Sequence, residues 1–252
     1  MADPVFVQPH FDDVALSCGG TVAQIAREGA ATIVTVFGGD PGDRTSEFVR
    51  FQHERWKLED GDAVGARRKE DLVAVNQLGE SVSTVWLDYL DAIYRRPEYS
   101  DDLALFGTLV DDDRSLIGQI AGDLAALGDP FVLPLAIGSH VDHQLVFEAG
   151  RVLAAKGADV WCYPDLPYAL DSDAYRHRLE HVGDAAPCVR SIDEASFESK
   201  WRAIECYASQ LPVIFRAIED PRRKFFEFGR RERDVSAVEL FWKMDDLNLG
   251  QR

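Results

Sequence analysis

Short apolar runs alternate with helix-length stretches through the first two-thirds of the chain, and this rhythm constrains the fold more than any other feature. PVFVQP (4–9), ATIVTVF (31–37), STVWLD (83–88), FVLPLAI (131–137) and ADVWCY (158–163) each read as a strand. Between them lie TVAQIAREG, ARRKEDLVAVNQLG, SLIGQIAGDLAALG and QLVFEAGRVLAAKG, whose apolar residues recur at helical spacing, with Gly29 and Gly79 closing the first two. Strands that return through helices lie parallel. The expectation is therefore an α/β fold: a Rossmann-like, doubly wound, mostly parallel sheet with helices on both faces. No repeat or low-complexity linker interrupts residues 1–252, so a single domain is expected. The segment from Gly38 to about residue 62 reads as a long polar loop, a kind that is usually functional or disordered. Past residue 165 the rhythm loosens, with helices expected near 172–182 and 194–208, and VSAVELFWKM fits either a strand or a helix.

Charge and targeting signals narrow the partners. With 44 acidic against 27 basic residues the net charge is −17, a field that repels nucleic acid and anionic membranes. No apolar run approaches the roughly 20 residues of a spanning helix, and no secretory signal is evident, so the cytoplasm is the expected compartment. A homo-oligomer is compatible with the sequence and not required by it. Four cysteines without a C-x-x-C pair fit reduced thiols, at least three of them expected in the core, rather than a disulfide frame or a cysteine zinc site. The basic cluster Arg222, Arg223, Lys224, Arg230, Arg231 and Arg233 fits a salt-bridged face better than a phosphate site.

Ligands of open parallel sheets bind beyond the carboxyl ends of the strands. Two polar clusters fall there: His10-Phe11-Asp12-Asp13 after the first strand, and His140-Val141-Asp142-His143 after FVLPLAI. Three of the six histidines are in these clusters. Either cluster alone fits a turn or a helix cap. Together they are costly to desolvate without a metal or mutual pairing. His10, Asp13 and His143 form a two-histidine, one-carboxylate face, a set used by catalytic zinc and also by non-haem iron. Asp12 and His140 remain as acid–base candidates, and Asp142 can orient an imidazole.

At these residues the chain resembles the PIG-L/LmbE family of zinc-dependent N-acetylglucosaminyl deacetylases. The family's H-P-D-D motif, followed by Gly-Gly-Thr, stands here as Pro9-His10-Phe11-Asp12-Asp13 with Gly19-Gly20-Thr21, and its H-x-D-H motif as His140 to His143. Weaker similarities are Arg67 to Glu70 with Leu78-Gly79, Leu87 to Asp91, Tyr163 to Tyr168, and Tyr207 to Gln210. Phe11 replaces the usual proline and Val14 a common glutamate, departures that bear on substrate more than on chemistry. The resemblance implies removal of an N-acyl group, usually acetyl, from an amino-sugar conjugate. It implies Zn2+ on His10, Asp13 and His143, with Fe2+ or another divalent metal compatible with the same ligands. Asp12 is implied as the general base, and a protonated His140 held by Asp142 as the stabiliser of the oxyanion. Arg67 and Asp91 match positions that contact the sugar.

Plainer readings stand beside these. Arg67 fits a surface ion pair with Glu70 or Asp71, and Asp91 a turn. His53 reads as surface, and His177 with His181 as a solvent-facing pair. Gly19-Gly20 fits close helix packing, and Trp86, Trp161 and Trp201 fit the core or its edge. Competing functions are an amidase on a thiol–sugar conjugate, an iron oxygenase (whose usual all-β scaffold the βα rhythm contradicts), and a catalytically silent sugar-binding protein. Substrate choice is expected to lie in the 38–62 loop, the 88–113 segment and the C-terminal region.

Overall fold

The computed structural model describes residues 3–59, 61–183, 185–230 and 235–248. Its strands are β1 (Val5–Gln8), β2 (Ala31–Thr35), β3 (Val82–Trp86), β4 (Phe131–Pro134), β5 (Val160–Tyr163), β6 (Cys188–Ile192) and β7 (Ala237–Lys243). They form one sheet in the order β3-β2-β1-β4-β5-β7-β6. The first five are parallel, and β7 runs antiparallel to both β5 and β6. The longer helices are α1 (Asp13–Ala26), α2 (Glu47–Trp56), α3 (Ala63–Leu78), α6 (Arg114–Ala125), α7 (Val141–Ala155), α8 (Ser172–His181) and α9 (Glu194–Glu205). Shorter ones are α4 (Ala92–Arg95), α5 (Asp102–Leu105), α10 (Leu211–Ile214) and α11 (Pro221–Glu227).

The expected α/β architecture is present. Strand order reverses between β1 and β4, so right-handed crossovers place α1 and α3 over one face of the sheet and α6 and α7 over the other. α9 packs with α1 and α3. β1 and β4 are buried at every position, as strands covered on both faces must be.

The structure differs from expectation in three places and decides a fourth that the sequence left open. The 38–62 segment is not all loop, because it contains α2, whose N-terminus is closed by Ser46 Oγ accepting from Val49 N at 3.0 Å. The loosened region contains β6, an edge strand with only Ile192 buried. VSAVELFWKM resolves as strand β7, since six of its seven positions are buried between neighbouring strands and helices. Only Cys18 and Cys162 are buried; Cys206 is half-buried, and Cys188 on the edge strand is exposed. In the basic cluster, Arg222 pairs with Glu198 and Arg223 with Glu227, while Arg231 and Arg233 lie outside the described residues. No helix among the described residues is long and apolar enough to cross a membrane.

Candidate active site at the sheet's switch point

The carboxyl ends of β1 and β4 lie side by side where strand order reverses, and the chain leaving each one diverges to open a cleft. Helix α1 starts at Asp13 with almost no turn, which leaves its first N–H groups in need of acceptors. The buried Gln8 serves one of them, its Oε1 accepting from Val14 N at 3.1 Å. Asp12, at the N-cap position, makes no capping bond and lines the cleft. The loop after β4 is strained: Ala136 and Ser139 have φ of 61° and 63°, a region L-residues rarely adopt. It is pinned by Ile137 N donating to Asp165 Oδ2 at 2.8 Å, and it delivers His140 as the N-cap of α7.

Two imidazoles are each fixed from behind by a carboxylate. His143 Nδ1 lies 2.6 Å from Asp165 Oδ1, and His10 Nε2 lies 3.1 Å from Asp142 Oδ2. A carboxylate only accepts, so this network assigns the proton to the nitrogen facing it in each ring. The lone pairs of His10 Nδ1 and His143 Nε2 then face Asp13, at 3.7 Å from Oδ2 and 3.5 Å from Oδ1. His143 Nε2 is buried and has no hydrogen-bond partner. Two other trios, His10 with His140 and His143, and His10 with Asp91 and Asp142, have donor atoms that all lie within 4.8 Å of one another. Both are less available. Asp142 already accepts from Arg95, from Ala92 N and from His10, and His140 Nδ1 accepts from Asp142 N at 3.2 Å. His10, Asp13 and His143 could hold a divalent cation, since they combine a buried orphan nitrogen with a carboxylate between two back-supported imidazoles.

The electrostatics are polarised. Burial opposes charge on His10, but Asp91, Asp142 and Asp13 push its pKa up to about 9. Burial and the neighbouring Asp13 push Asp12 up to about 6, against the opposing pull of Arg67. Burial, then the charge on His10, holds His140 well below the usual histidine range. Burial opposes charge on Asp142 too, yet Arg95 and His10 keep it far below the usual carboxylate range.

A sequence profile of PIG-L, described as GlcNAc-PI de-N-acetylase, matches residues 5–154, more than half of the chain. The chain belongs to the PIG-L family. A 2'-N-acetylparomamine deacetylase of Niallia circulans is 34% identical, over 94% of this chain and 89% of that protein. One of the same name from Streptomyces fradiae is 29% identical, over 82% of this chain and 72% of that protein. The crystal structure of a zinc-inhibited teicoplanin deacetylase superposes with a TM-score of 0.81 at 27% identity, covering 97% of this chain and 100% of that one. These relatives are deacetylases, and an N-deacetylating hydrolase is the class expected from the two motifs.

In this PIG-L protein the cleft, about 280 Å³, is lined by His10, Asp12, Asp13, Arg67, Asp91 and His140. Arg67 is buried inside it rather than paired at the surface, its guanidinium stacked against Phe11 and Trp56 at 5.3 and 5.0 Å and 3.7 Å from Asp91. Its expected surface partners are engaged elsewhere, Glu70 by Ser209 and Asp71 by Gln8, Thr84, Trp86 and Tyr207. The proline-to-phenylalanine departure thus supplies one wall for Arg67. Asp91 is both turn and site residue, since Oδ1 caps α4 through Ile93 N while the side chain lines the cleft. Asp142 orients an imidazole as expected, but the imidazole is that of His10. His140 is instead met by the main-chain N–H of residue 142, so it is neutral and not the protonated group anticipated. His53 is not a surface residue; it is buried, 2.6 Å from Tyr94 Oη. His177 and His181 are exposed.

Several site residues were given no role by the sequence, although Asp165 and Tyr168 lie in the Tyr163 to Tyr168 stretch noted for its similarity. Asp165 lies just past β5, at the same kind of strand mouth as the two motifs, and that rule alone would have found it. Arg95, Trp56 and Phe106 carry no local signal, because ordinary packing uses the same residue types.

Proposed function

We propose that this chain is a zinc-dependent N-deacetylase that removes an acetyl group from the amino group of an amino-sugar conjugate. The observation that carries this reading is the buried, unpartnered Nε2 of His143 facing Asp13 beside His10. His10 Nδ1, Asp13 and His143 Nε2 would hold the metal. Zinc supplies Lewis acidity, polarising the amide carbonyl and easing deprotonation of water near pH 7.

The protein's own groups do the rest. Asp12, with a pKa near 6, accepts a proton from the attacking water and returns it to the leaving amine. Its burial keeps that exchange away from bulk solvent. Neutral His140 carries its proton on Nε2, because Nδ1 accepts from Asp142 N, and it donates to the carbonyl oxygen as negative charge develops there. Arg67 and Asp91 bind sugar hydroxyls, with Trp56, Phe106 and Tyr168 forming the apolar walls on which a sugar ring packs. The deacetylation of 2'-N-acetylparomamine by the named relatives supports an amino sugar within a larger antibiotic-type scaffold as the substrate.

The test measures acetate release from N-acetylated aminoglycoside precursors and from simpler N-acetyl sugars, by zinc-loaded parent and by Asp12→Ala. Release by the parent, absent in a variant that keeps its metal, is the expected result. Saturable sugar binding without hydrolysis by the loaded parent would turn the assignment to a silent sugar-binding protein.

A further inference from the structure

Asp142 has the position and chemistry of a metal ligand, and an arginine is built around it. Its Oδ2 accepts from His10 Nε2 at 3.1 Å and from Ala92 N at 3.0 Å, and its Oδ1 accepts from Arg95 Nη2 at 2.6 Å. Arg95 is spent in the same neighbourhood. Nε donates to Asp113 Oδ2 at 2.9 Å, Nη1 to Leu90 O at 2.6 Å, and the guanidinium carbon Cζ lies 4.9 Å from the centroid of the Phe37 ring. Asp113 is fully buried and is itself held by Arg96 Nε at 2.8 Å and Tyr99 Oη at 3.0 Å. The line His10–Asp142–Arg95–Asp113 thus ends on an anchored carboxylate, with every polar side-chain group of Asp142, Arg95 and Asp113 engaged. The single turn of α4 carries three of the contacts: Asp91 at its cap, the Ala92 N–H and Arg95.

We propose that Arg95 is a positioning residue that keeps Asp142 out of the metal's coordination and holds His10 as an Nδ1 ligand. Asp142 and Asp91 bring their oxygens within 4.8 Å of each other and of His10 Nε2, so a carboxylate freed here offers a competing cation position on the Nε2 side of the ring, opposite Nδ1. Bidentate engagement of the guanidinium by Asp142 and Asp113 removes that freedom in two ways. It neutralises the carboxylate, and it fixes its plane so that Oδ2 points at His10 Nε2. A lysine, with one point of charge, cannot reach Asp142, Asp113 and Leu90 O together. The inference rests on the metal reading above and concerns what sets the ligand number.

Cobalt(II) replaces zinc as the probe, and its visible absorption reports coordination number. Parent, Arg95→Met, Asp113→Asn and Arg95→Met with Asp142→Asn are titrated with cobalt, and melting of the metal-free proteins is recorded alongside. Arg95→Met is expected to give a weaker visible band, as the freed Asp142 and Asp91 carboxylates draw part of the ion to the more oxygen-rich Nε2 side of His10, and metal affinity at the parent position lower by about 10–100-fold, the usual effect of losing such support. Asp113→Asn, which leaves Arg95 in place but loosens it, shifts the band in the same direction by less, and it carries the test if Arg95→Met does not fold. Removing the charge of Asp142 in the Arg95→Met background returns the band towards the parent. A lower melting temperature with an unchanged spectrum and affinity would make Arg95 purely structural and overturn the proposal. No cobalt bound by the parent would overturn the metal reading, and this inference with it.

Discussion

Asp13 stands between two imidazoles whose far nitrogens each donate to a buried carboxylate, so His10 Nδ1 and His143 Nε2 are both turned towards it before any ion arrives. Such support raises ligand basicity and fixes the tautomer. Asp165→Asn keeps an oxygen for His143 but removes the charge, and zinc affinity, measured by competition with a chromophoric chelator, is expected to fall about 10–100-fold. An unchanged affinity would show that His143 does not depend on Asp165. Protons compete for the same site. Without metal, His10 is held protonated up to about 9, against its burial, by Asp91, Asp142 and Asp13. An ion that takes Nδ1 must displace that proton, so affinity falls as pH is lowered from 9, by roughly tenfold per pH unit for a single linked proton. Calorimetry at pH 7.5 in buffers of different ionisation heat is expected to record about one proton released per metal bound; none released would contradict this linkage. The motif histidines and Asp12 were legible because they sit at strand ends in a polar cluster. Arg67 looked exposed because its helix is rich in charge, and nothing local reveals that its own turn faces Phe11 and Trp56.

Helix α1 is bent at Cys18, where φ is −137°, and the bend leaves main-chain groups without helical partners. Ser17 O accepts from Lys200 Nζ at 3.1 Å, and Gly20 N and Thr21 N donate to Glu239 at 3.0 and 2.7 Å. Lys200 and Glu239 also pair at 2.7 Å, both side chains 4% exposed. This is the role of the Gly-Gly-Thr stretch: an added Cβ on Gly20 would lie 2.7 Å from Ile192 Cγ2. Lys200→Met strands a buried carboxylate and is expected to cost about 3–5 kcal/mol in urea unfolding, while pairing it with Glu239→Gln recovers part of the loss. An effect below about 1 kcal/mol would mean that water reaches the pair and screens it. At this scale sequence reading succeeded for elements buried on one consistent face and failed for the others. α2 buries only Phe48, Val49, Gln52 and His53, and two of those four are polar, so no apolar stripe marks it. β6 buries one residue in five, as an edge strand can, and therefore lacks the signal of the central strands.

The family profile stops at residue 154, yet the site does not. β5 brings the chain to Asp165, α9 supplies Lys200, β7 supplies Glu239, and Tyr207 Oη donates to the buried Asp71 at 3.0 Å. A fragment ending at residue 154 would leave β4 without β5 and His143 without its carboxylate. It is expected to lack a cooperative thermal transition by circular dichroism, and a sharp transition would show that the matched region folds alone.

The sequence by itself determined the βα rhythm, hence the parallel sheet and its switch point, and it brought His10, Asp13 and His143 forward as a candidate trio at that point. Each of these follows from local signals, namely periodicity and the residues directly after a strand. Tertiary structure alone decided which nitrogen of each imidazole is free, that Asp142 serves His10 rather than His140, that Arg67 turns inward, and that the last strands run antiparallel. Those outcomes depend on contacts such as His10 with Asp142, 132 residues apart, and Gly20 with Glu239, 219 apart. Packing of the whole chain creates such contacts, and no local pattern encodes them.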